Sequence, residues 1–172
     1  METPLIALLQ ELLIAYAPVY IANLLPPVAQ RLALPGGKPI AMRLLGPHKT
    51  YRGLVSGTLG GILASAGLWL LSAGWYSNAS LTRALALGFL LGFGAMAGDA
   101  CKSLVKRQCG IRPGAPFPPW DQWDFLLGGT ALGIFVYPFT WQVFLLALFL
   151  TPFLHLMTNV LAYHLKLKNV WW

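Results

Sequence analysis

The chain is short of carboxylates: Asp and Glu together number five among 172 residues, against twelve Lys and Arg. Charged residues amount to only 10%, hydrophobic residues to 57%, and the mean hydropathy is +0.64. So little charge excludes an ordinary soluble globular protein and is typical of an integral membrane protein that crosses the bilayer several times. The length suits one compact unit rather than two domains.

Cysteine and histidine are also scarce, with two and three residues respectively. Cys101 and Cys109 have no zinc-like spacing with histidine, so we expect reduced thiols without a role at a metal site. The chain contains no Gly-x-Ser-x-Gly sequence, which argues against a serine nucleophile of the hydrolase type. No basic segment precedes the first apolar run, so we expect that run to be a retained span rather than a cleaved signal peptide.

Positive charge is in excess, with a net charge of +7, but the bases lie in short gaps between apolar runs. A protein that binds nucleic acid would instead collect its bases along one solvated face. We therefore expect no nucleic-acid partner and attribute the bases to membrane topology and to binding of an anionic ligand.

Five apolar segments predict an all-α integral membrane protein with about five transmembrane helices, because about 20 residues cross a hydrocarbon core of about 30 Å. We expect the first segment to bend at Pro18 and to end at Pro26–Pro27. The fourth is short and would need a locally thinner bilayer or shielding by its neighbours. The predicted spans are about 5–25, 54–76, 81–105, 122–137 and 139–165, with cytoplasmic loops at about 26–53 and 106–121.

The orientation in the membrane follows from the distribution of Lys and Arg. Eleven of them lie in one set of connections and only Arg83 lies in the opposite set. This bias predicts an N-terminus outside, a C-terminus in the cytoplasm and a polar cavity on the cytoplasmic side. The eleven bases are Arg31, Lys38, Arg43, Lys49, Arg52, Lys102, Lys106, Arg107, Arg112, Lys166 and Lys168.

Three of the five acidic residues lie in the segment that joins the third and fourth predicted spans. On a helix, Asp99, Lys102, Ser103 and Lys106 stand at i, i+3, i+4 and i+7 and share one face about 10 Å long. That face suits a polyphosphate with a metal ion at one end. Lysines that snorkel to lipid headgroups are the alternative, but snorkelling does not account for Asp99, which is predicted to lie deeper than both lysines.

Asp121 and Asp124 stand at i and i+3 where the fourth span begins, after a proline-rich turn. Carboxylates at a helix N-terminus also interact favourably with the helix dipole, so helix capping is an alternative role for this pair. Together with Asp99 at the same predicted depth, the pair forms a candidate site for one or two Mg²⁺ ions that also bind phosphate oxygens.

The first cytoplasmic loop contains Arg43 followed by the sequence GPHKTYRG at residues 46–53. Its glycines would let the backbone approach a phosphate that Lys49, Thr50 and Arg52 contact. A basic cytoplasmic loop is by itself usually only a topology signal, and the order of glycine and lysine differs from that of a P-loop.

Four further polar residues lie within or next to the predicted spans. Asn23, near the cytoplasmic end of the first span, is expected to face the same cavity as the basic loop. Glu11 in the first span and His155 and His164 in the last have no partner that the sequence identifies.

Two segments resemble the CDP-archaeol synthase family, the archaeal relatives of bacterial CDP-diacylglycerol synthases. The segment GDACKSLVKRQCGIRPGAPFPPWDQWDF resembles the family signature, with an S-x-x-K-R core at Ser103, Lys106 and Arg107 and a D-Q-x-D-F element that begins at Asp121. The loop GPHKTYRG resembles the family's G-x-x-K-T-[WY]-R-G loop. The resemblance covers most of the chain, with the motifs in the expected order and spacing.

The resemblance implies a cytidylyltransferase of the cell membrane, with its active site facing the cytoplasm, that works in archaeal phospholipid biosynthesis. It would transfer CMP from CTP to 2,3-bis-O-(geranylgeranyl)glycerol 1-phosphate and release pyrophosphate, with Mg²⁺ as cofactor. The oligomeric state is left open, a homo-oligomer included. The implied catalytic set is Asp99, Asp121, Asp124, Lys106 and Arg107, of which the three aspartates are the metal ligands. The implied contacts to CTP and the lipid phosphate are Lys49, Thr50, Arg52, Lys102, Ser103, Arg43, Arg112 and Asn23.

Two other functions are weighed against this one. A CDP-alcohol phosphotransferase also binds metal through aspartates at the cytoplasmic face, but its D-G-x-x-A-R signature is absent here. A small transporter for anions or metal ions is the alternative from a different class. Against it, the chain shows no internal repeat, and its charges gather at one face of the membrane rather than at the midplane.

Overall fold

The computed structural model describes residues 4–71 and 80–166, and within them the chain is helical apart from turns and one isolated bridge between Pro39 and Thr50. This confirms the predicted all-α class. The described residues form six helices: α1 (Pro4–Arg31), α2 (Met42–Leu45), α3 (Tyr51–Leu71), α4 (Leu81–Gln108), α5 (Trp120–Gly133) and α6 (Trp141–His164).

Four of these helices, α1, α3, α4 and α6, are long and apolar enough to cross a membrane, with mean hydropathies of 1.6 to 1.9. They make the protein a multi-pass membrane protein. The fourth predicted span corresponds to α5, which has 14 residues and therefore reaches only about 21 Å at 1.5 Å per residue. Since the hydrocarbon core is about 30 Å thick, α5 is too short to cross it unaided.

Helix α1 does not end at Pro26–Pro27 as predicted; it continues to Arg31 with Pro18, Pro26 and Pro27 inside it. A proline in a helix costs one hydrogen bond and some crowding. Here the same turn packs on α3: Pro26 lies beside Gly53 and Leu25 beside Gly60. We infer that this packing outweighs the cost.

Other boundaries shift by a few residues. α3 begins three residues before residue 54, α4 ends three residues after 105, and the second loop covers 109–119 rather than 106–121. The first predicted loop, 26–53, contains the last turn of α1, the short α2 and the start of α3. The predicted end of the second span at residue 76 and the basic residue Lys168 lie outside the described residues.

Glycines bring α3, α4 and α5 into direct backbone contact. A Cβ on Gly61 would lie 2.7 Å from Gly92 Cα, and a Cβ on Gly128 would lie 2.7 Å from Gly98 Cα. Neither position has room for a side chain, as expected for small residues at helix interfaces in membranes. The α4–α5 contact at Gly98 lies directly beside Asp99 and thereby sets the distance between the two helices at the acidic residues.

Helix α1 supplies much of the core. Tyr16, Val19 and Ala22 are fully buried, and the Tyr16 hydroxyl lies 3.2 Å from Thr130 Oγ1 on α5. Glu11, for which the sequence offered no partner, accepts a hydrogen bond of 3.1 Å from the backbone N–H of Thr140, the residue that caps the N-terminus of α6. Glu11 therefore ties the start of α6 to α1.

Candidate active site

Three carboxylates from two helices meet at one ammonium group. Lys102 Nζ lies 3.1 Å from Asp99 Oδ1, 3.1 Å from Asp121 Oδ1 and 2.5 Å from Asp124 Oδ2. We call these three aspartates the carboxylate cluster. Asp99 and Lys102 come from α4 and the other two from α5, so the helices that the glycines hold together present their acidic residues around a single cation.

Local structure at the start of α5 orients two members of the cluster. The Asp121 carboxylate accepts a hydrogen bond from the backbone N–H of Phe117, and Asp124 Oδ1 accepts one of 2.6 Å from the N–H of Phe125. The N-cap position of α5 is Pro119, which has no side-chain cap. Asp121 thus closes the turn that precedes the helix, a structural role additional to its place in the cluster.

The charge state of Asp121 follows from its surroundings. Burial raises the pKa of this carboxyl, but nearby Lys102 and the hydrogen bond from Phe117 lower it by more, so its pKa lies below the usual range. Asp121 is therefore ionised at neutral pH, the state in which a carboxyl group binds a cation.

Two further lysines surround the cluster. Lys49, from the first loop, pairs with Asp99, and Lys106 Nζ lies 3.2 Å from Asp121 Oδ1 and donates to the carbonyl oxygen of Ala115. Lys106 is buried, with 7% of its surface exposed. Three ammonium groups and three carboxyl groups are thus gathered at one end of an apolar helix bundle.

Thr50 and Arg52 shape the first loop instead of contacting the cluster. Arg52 donates to the carbonyl oxygen of Leu34 at 2.7 Å, and Thr50 Oγ1 accepts from the N–H of Gly53 at 3.1 Å. Backbone hydrogen bonds join the two arms of this loop, including Ile40 N–H to the Lys49 carbonyl at 2.8 Å. These contacts hold the loop in the shape that brings Lys49 to Asp99.

Within residues 4–71 and 80–166, the other predicted residues form no ion pair with the cluster. The Ser103 hydroxyl donates to the backbone carbonyl of Asp99 at 3.0 Å. Arg107 Nε is buried and has no hydrogen-bond partner among the described residues. Arg43, on α2, and Arg112, in the loop before α5, are exposed. Asn23 is half-buried on α1 and lines a separate cleft with Phe125 and His155.

The donor set can be compared with the requirements of Mg²⁺, a hard cation that prefers oxygen ligands and commonly binds one or two carboxylates plus phosphate oxygens and water. Across residues 4–71 and 80–166, no three Asp, Glu, His or Cys side chains are placed to hold a metal ion directly. The Lys102 ammonium lies between the carboxylates instead. In donor chemistry the cluster fits Mg²⁺, and the position that a shared cation requires is taken by Lys102.

Sequence reasoning did not find the cleft that Asn23 lines, nor the contact between the Tyr20 hydroxyl and Thr151 Oγ1 at 2.8 Å. A signal for both was present, because Thr151, His155, Thr158 and Asn159 stand at i, i+4, i+7 and i+8 and so share one helix face.

Comparisons with known proteins agree with these observations. The family model described as CarS-like CDP-archaeol synthase matches residues 5–172. The chain is similar to the CDP-archaeol synthase of Methanocaldococcus jannaschii, with 34% identity over 170 residues that cover 90% of this chain and 92% of that protein. It is 40% identical to the CDP-archaeol synthase of Methanopyrus kandleri over 166 residues, covering 90% of this chain and 88% of that protein.

A solved structure is also similar. It is that of an intramembrane enzyme for the biosynthesis of archaeal membrane lipids, and it superimposes with a TM-score of 0.72. The sequence identity is 34%, and the match covers 86% of this chain and 92% of the other.

Proposed function

Because the chain belongs to the CDP-archaeol synthase family, we propose that it transfers CMP from CTP to 2,3-bis-O-(geranylgeranyl)glycerol 1-phosphate and releases pyrophosphate. The observation that carries this proposal beyond family membership is the convergence of Asp99, Asp121 and Asp124 on Lys102. A compact set of carboxylates and lysines at one end of a membrane bundle is what a nucleoside triphosphate and its metal require.

The reaction needs positioning and charge compensation more than it needs a nucleophile from the protein. An oxygen of the lipid phosphate attacks the α-phosphorus of CTP in line. A new P–O bond forms, the bond between the α- and β-phosphates breaks, and its electron pair leaves with pyrophosphate. A phosphate monoester is largely dianionic at neutral pH, since its second pKa is about 6, so the attack requires no general base.

In this mechanism Asp99, Asp121 and Asp124 would hold Mg²⁺ in place of the Lys102 ammonium, and the ion would supply positive charge against the phosphate oxygens. Lys49, Lys102 and Lys106 lie where they can neutralise the triphosphate and the departing pyrophosphate. Arg107, whose buried Nε lacks a partner in the described part of the chain, is a further phosphate ligand. Arg43 and Arg112, exposed at the same end, meet the incoming lipid phosphate.

The site faces the cytoplasm of the cell membrane in this proposal, with the N-terminus outside. CTP is a cytoplasmic metabolite, and the cluster lies at the C-terminal end of α4, where most bases of the chain collect. Arg83 lies at the opposite end of the same helix.

The test is nucleotide incorporation by the purified protein. With lipid phosphate and labelled CTP, we expect label in the extracted lipid and release of pyrophosphate, both dependent on Mg²⁺, with CTP compared against dCTP and UTP. Release of CMP from a CDP-lipid and an alcohol, without incorporation from CTP, would instead identify a CDP-alcohol phosphotransferase. Solute uptake into proteoliposomes that survives replacement of all three aspartates by alanine would indicate a transporter.

A further inference from the structure

Pro152 lies inside helix α6 and removes one of its backbone hydrogen bonds. The helix continues from Trp141 to His164 through this residue. Because proline has no N–H, the carbonyl oxygen of Leu148, four residues earlier, loses its ordinary partner within the helix. Water is scarce at membrane depth, and neighbouring helices commonly satisfy a carbonyl that a proline has freed. The position of Pro152 therefore calls for a donor from outside α6.

The donor comes from α5. Trp123 Nε1–H donates a hydrogen bond of 3.0 Å to the carbonyl oxygen of Leu148. The alternative role for a tryptophan near a membrane surface is that of an aromatic belt, in which the indole N–H meets water or lipid headgroups. Trp123 is half-buried and directs its N–H at a helix, whereas Trp120 and Trp141 are 48% and 68% exposed. The bond therefore meets the requirement that Pro152 creates.

Trp123 stands between two members of the carboxylate cluster. Asp121 and Asp124 flank it in α5, and successive residues of a helix lie about 100° apart around the axis. Trp123 therefore projects about 160° away from Asp121 and about 100° away from Asp124. The turn of α5 that presents its aspartates to Lys102 is thus attached to α6 by its tryptophan.

The first turn of α5 needs such an attachment. The glycine contacts with α4 involve Gly128 and the backbone of Asp124, which lie one turn or more into α5. The first turn comes before them, and Pro119 at its N-cap supplies no side-chain cap. Helix ends without caps fray readily. Asp121 bonds back to the preceding loop, and the hydrogen bond from Trp123 ties this turn to another helix.

We propose that Trp123 is a positioning residue for CMP transfer, an assignment that rests on the function proposed above. Its bond to the carbonyl that Pro152 leaves open holds the first turn of α5 on α6. The bond thereby fixes the direction from which Asp121 and Asp124 enter the carboxylate cluster. The indole is directed at α6, so it acts through the two aspartates. Catalysis is sensitive to such placement, because a shift of about 1 Å can cost about 100-fold in rate.

The first test is a matched pair of variants of the full chain, Trp123→Phe and Trp120→Phe. Each replaces an indole of α5 by a phenyl ring, but the indole of Trp120 forms no hydrogen bond within residues 4–71 and 80–166. For Trp123→Phe we expect kcat to fall about tenfold and the KM for CTP to change by less than about twofold, as for a group that acts on the transition state. Trp120→Phe should match wild type in both quantities.

A second comparison separates positioning from stability. Trp123→Phe leaves the Leu148 carbonyl without a donor, so the thermal unfolding midpoint should also fall. Adding Pro152→Ala restores a backbone N–H that can bond this carbonyl within α6, and the midpoint should recover. The link between α5 and α6 stays broken in this double variant, so kcat should stay low. Pro152→Ala alone should keep kcat close to wild type, because a carbonyl oxygen has two lone pairs and can accept from both donors.

Three results would overturn the assignment. The first is a wild-type kcat in Trp123→Phe. The second is a kcat that recovers together with the unfolding midpoint in the double variant, because Trp123 would then only stabilise the fold. The third is a fall in kcat for Pro152→Ala alone as large as that of the double variant, which would attribute the loss to the shape of α6.

The hydrogen bond itself can be tested without activity. In NMR spectra of protein with isotope-labelled tryptophan, the indole N–H of Trp123 should exchange with deuterium more slowly than that of Trp120. Equal exchange would show that the link is absent. If wild-type protein incorporates no CMP from CTP, the proposed function fails, and this measurement still decides whether the link exists. If wild-type protein is active and the bond is present, but Trp123→Phe keeps its kcat, only the positioning role fails.

Discussion

At the scale of the residue, the site depends on how close together its like charges are held. Three carboxylates around one point repel one another, and in a partly buried setting that repulsion is only weakly screened. Lys102 contacts each of them and so offsets the repulsion from the centre, while Lys49 and Lys106 each pair with one from the edge. The close arrangement of the three carboxylates therefore depends on Lys102 more than on Lys49 or Lys106.

Replacing Lys102 by methionine tests this. Lys102→Met keeps the length of the side chain but leaves the carboxylates without their shared cation and the triphosphate without one of its counter-charges. We expect CMP transfer to fall about 100-fold or more, by analogy with loss of one preorganised electrostatic donor. The measurement is the initial rate at saturating Mg²⁺ and CTP.

The matched control is Lys166→Ala, since Lys166 is exposed at the end of α6 and its side chain forms no ion pair among the described residues. Its rate should equal that of wild type. If the Lys102→Met protein were as active as this control, Lys102 would have no role in CMP transfer.

Asp121 gives the sharpest test of the metal role. Asp121→Asn keeps the shape, and its carbonyl oxygen can still accept the N–H of Phe117, so the turn before α5 is retained. Only the charge is lost, and Mg²⁺ binds neutral amides less well than carboxylates. We expect less than about 1% of wild-type turnover with an unchanged thermal unfolding midpoint. Activity close to wild type would show that Asp121 is no ligand.

At the scale of the element, the site is positioned by helix contacts that have no side chains between them. Gly98 precedes Asp99 on α4 and lies against the backbone of Asp124 and Gly128 on α5. The two acidic elements are therefore as close as two helices can be, which brings short carboxylate side chains into reach of one ammonium.

Gly98→Ala should separate them. A Cβ there meets backbone atoms that cannot rotate away, and overpacking of this kind costs about 1–3 kcal/mol. We expect a lower unfolding temperature together with reduced transfer, measured by a thermal melt and an activity assay on the same preparation.

Gly67→Ala on α3 is the matched control, because a Cβ at Gly67 meets nothing within 4 Å. This change should leave activity intact and stabilise the helix slightly, by up to about 1 kcal/mol. If the two variants melted at the same temperature, the packing argument would be wrong.

At the scale of the whole molecule, charge is distributed unevenly between the two ends of the helix bundle. The cluster and Cys109 lie toward the C-terminal end of α4, and Arg83 lies at its start. An aqueous substrate can reach the cluster only from one side of the membrane. The orientation of the protein in the membrane therefore determines from which side its substrate can bind.

Thiol labelling tests the proposed orientation. Cys101 and Cys109 are both exposed, so a membrane-impermeant maleimide should modify Cys109 in inside-out vesicles and leave it unmodified in sealed right-side-out vesicles. The reciprocal variant is Arg83→Cys with Cys101→Ser and Cys109→Ser, which should react only from the outside. The reverse pattern would place the active site on the outer face.

Much of the architecture could be predicted from local properties. Long apolar runs must be helices in lipid, because every backbone N–H and C=O must be satisfied within the segment. For that reason the all-helical class, the start of α3 and the bounds of α4, α5 and α6 were predicted to within about four residues, whereas α1 continues six residues beyond its predicted end. The acidic residues were also identified without the structure, because so few carboxylates occur in this chain and most of them stand among bases.

The tertiary structure decided what spacing along the chain cannot express. The hydrogen bond from Arg52 to the carbonyl oxygen of Leu34 depends on contacts across the first loop, and the spacing of residues along the chain does not predict it. Helix α1 continues through Pro26 and Pro27 because α3 packs against that turn. Glu11 is hydrogen-bonded to Thr140, and Tyr20 to Thr151, although more than a hundred residues separate the partners in the sequence. Residue types and their periodicity determine which segments form helices and which side chains can bind metal or phosphate. Which of those side chains come into contact depends on packing between helices that are distant in the sequence.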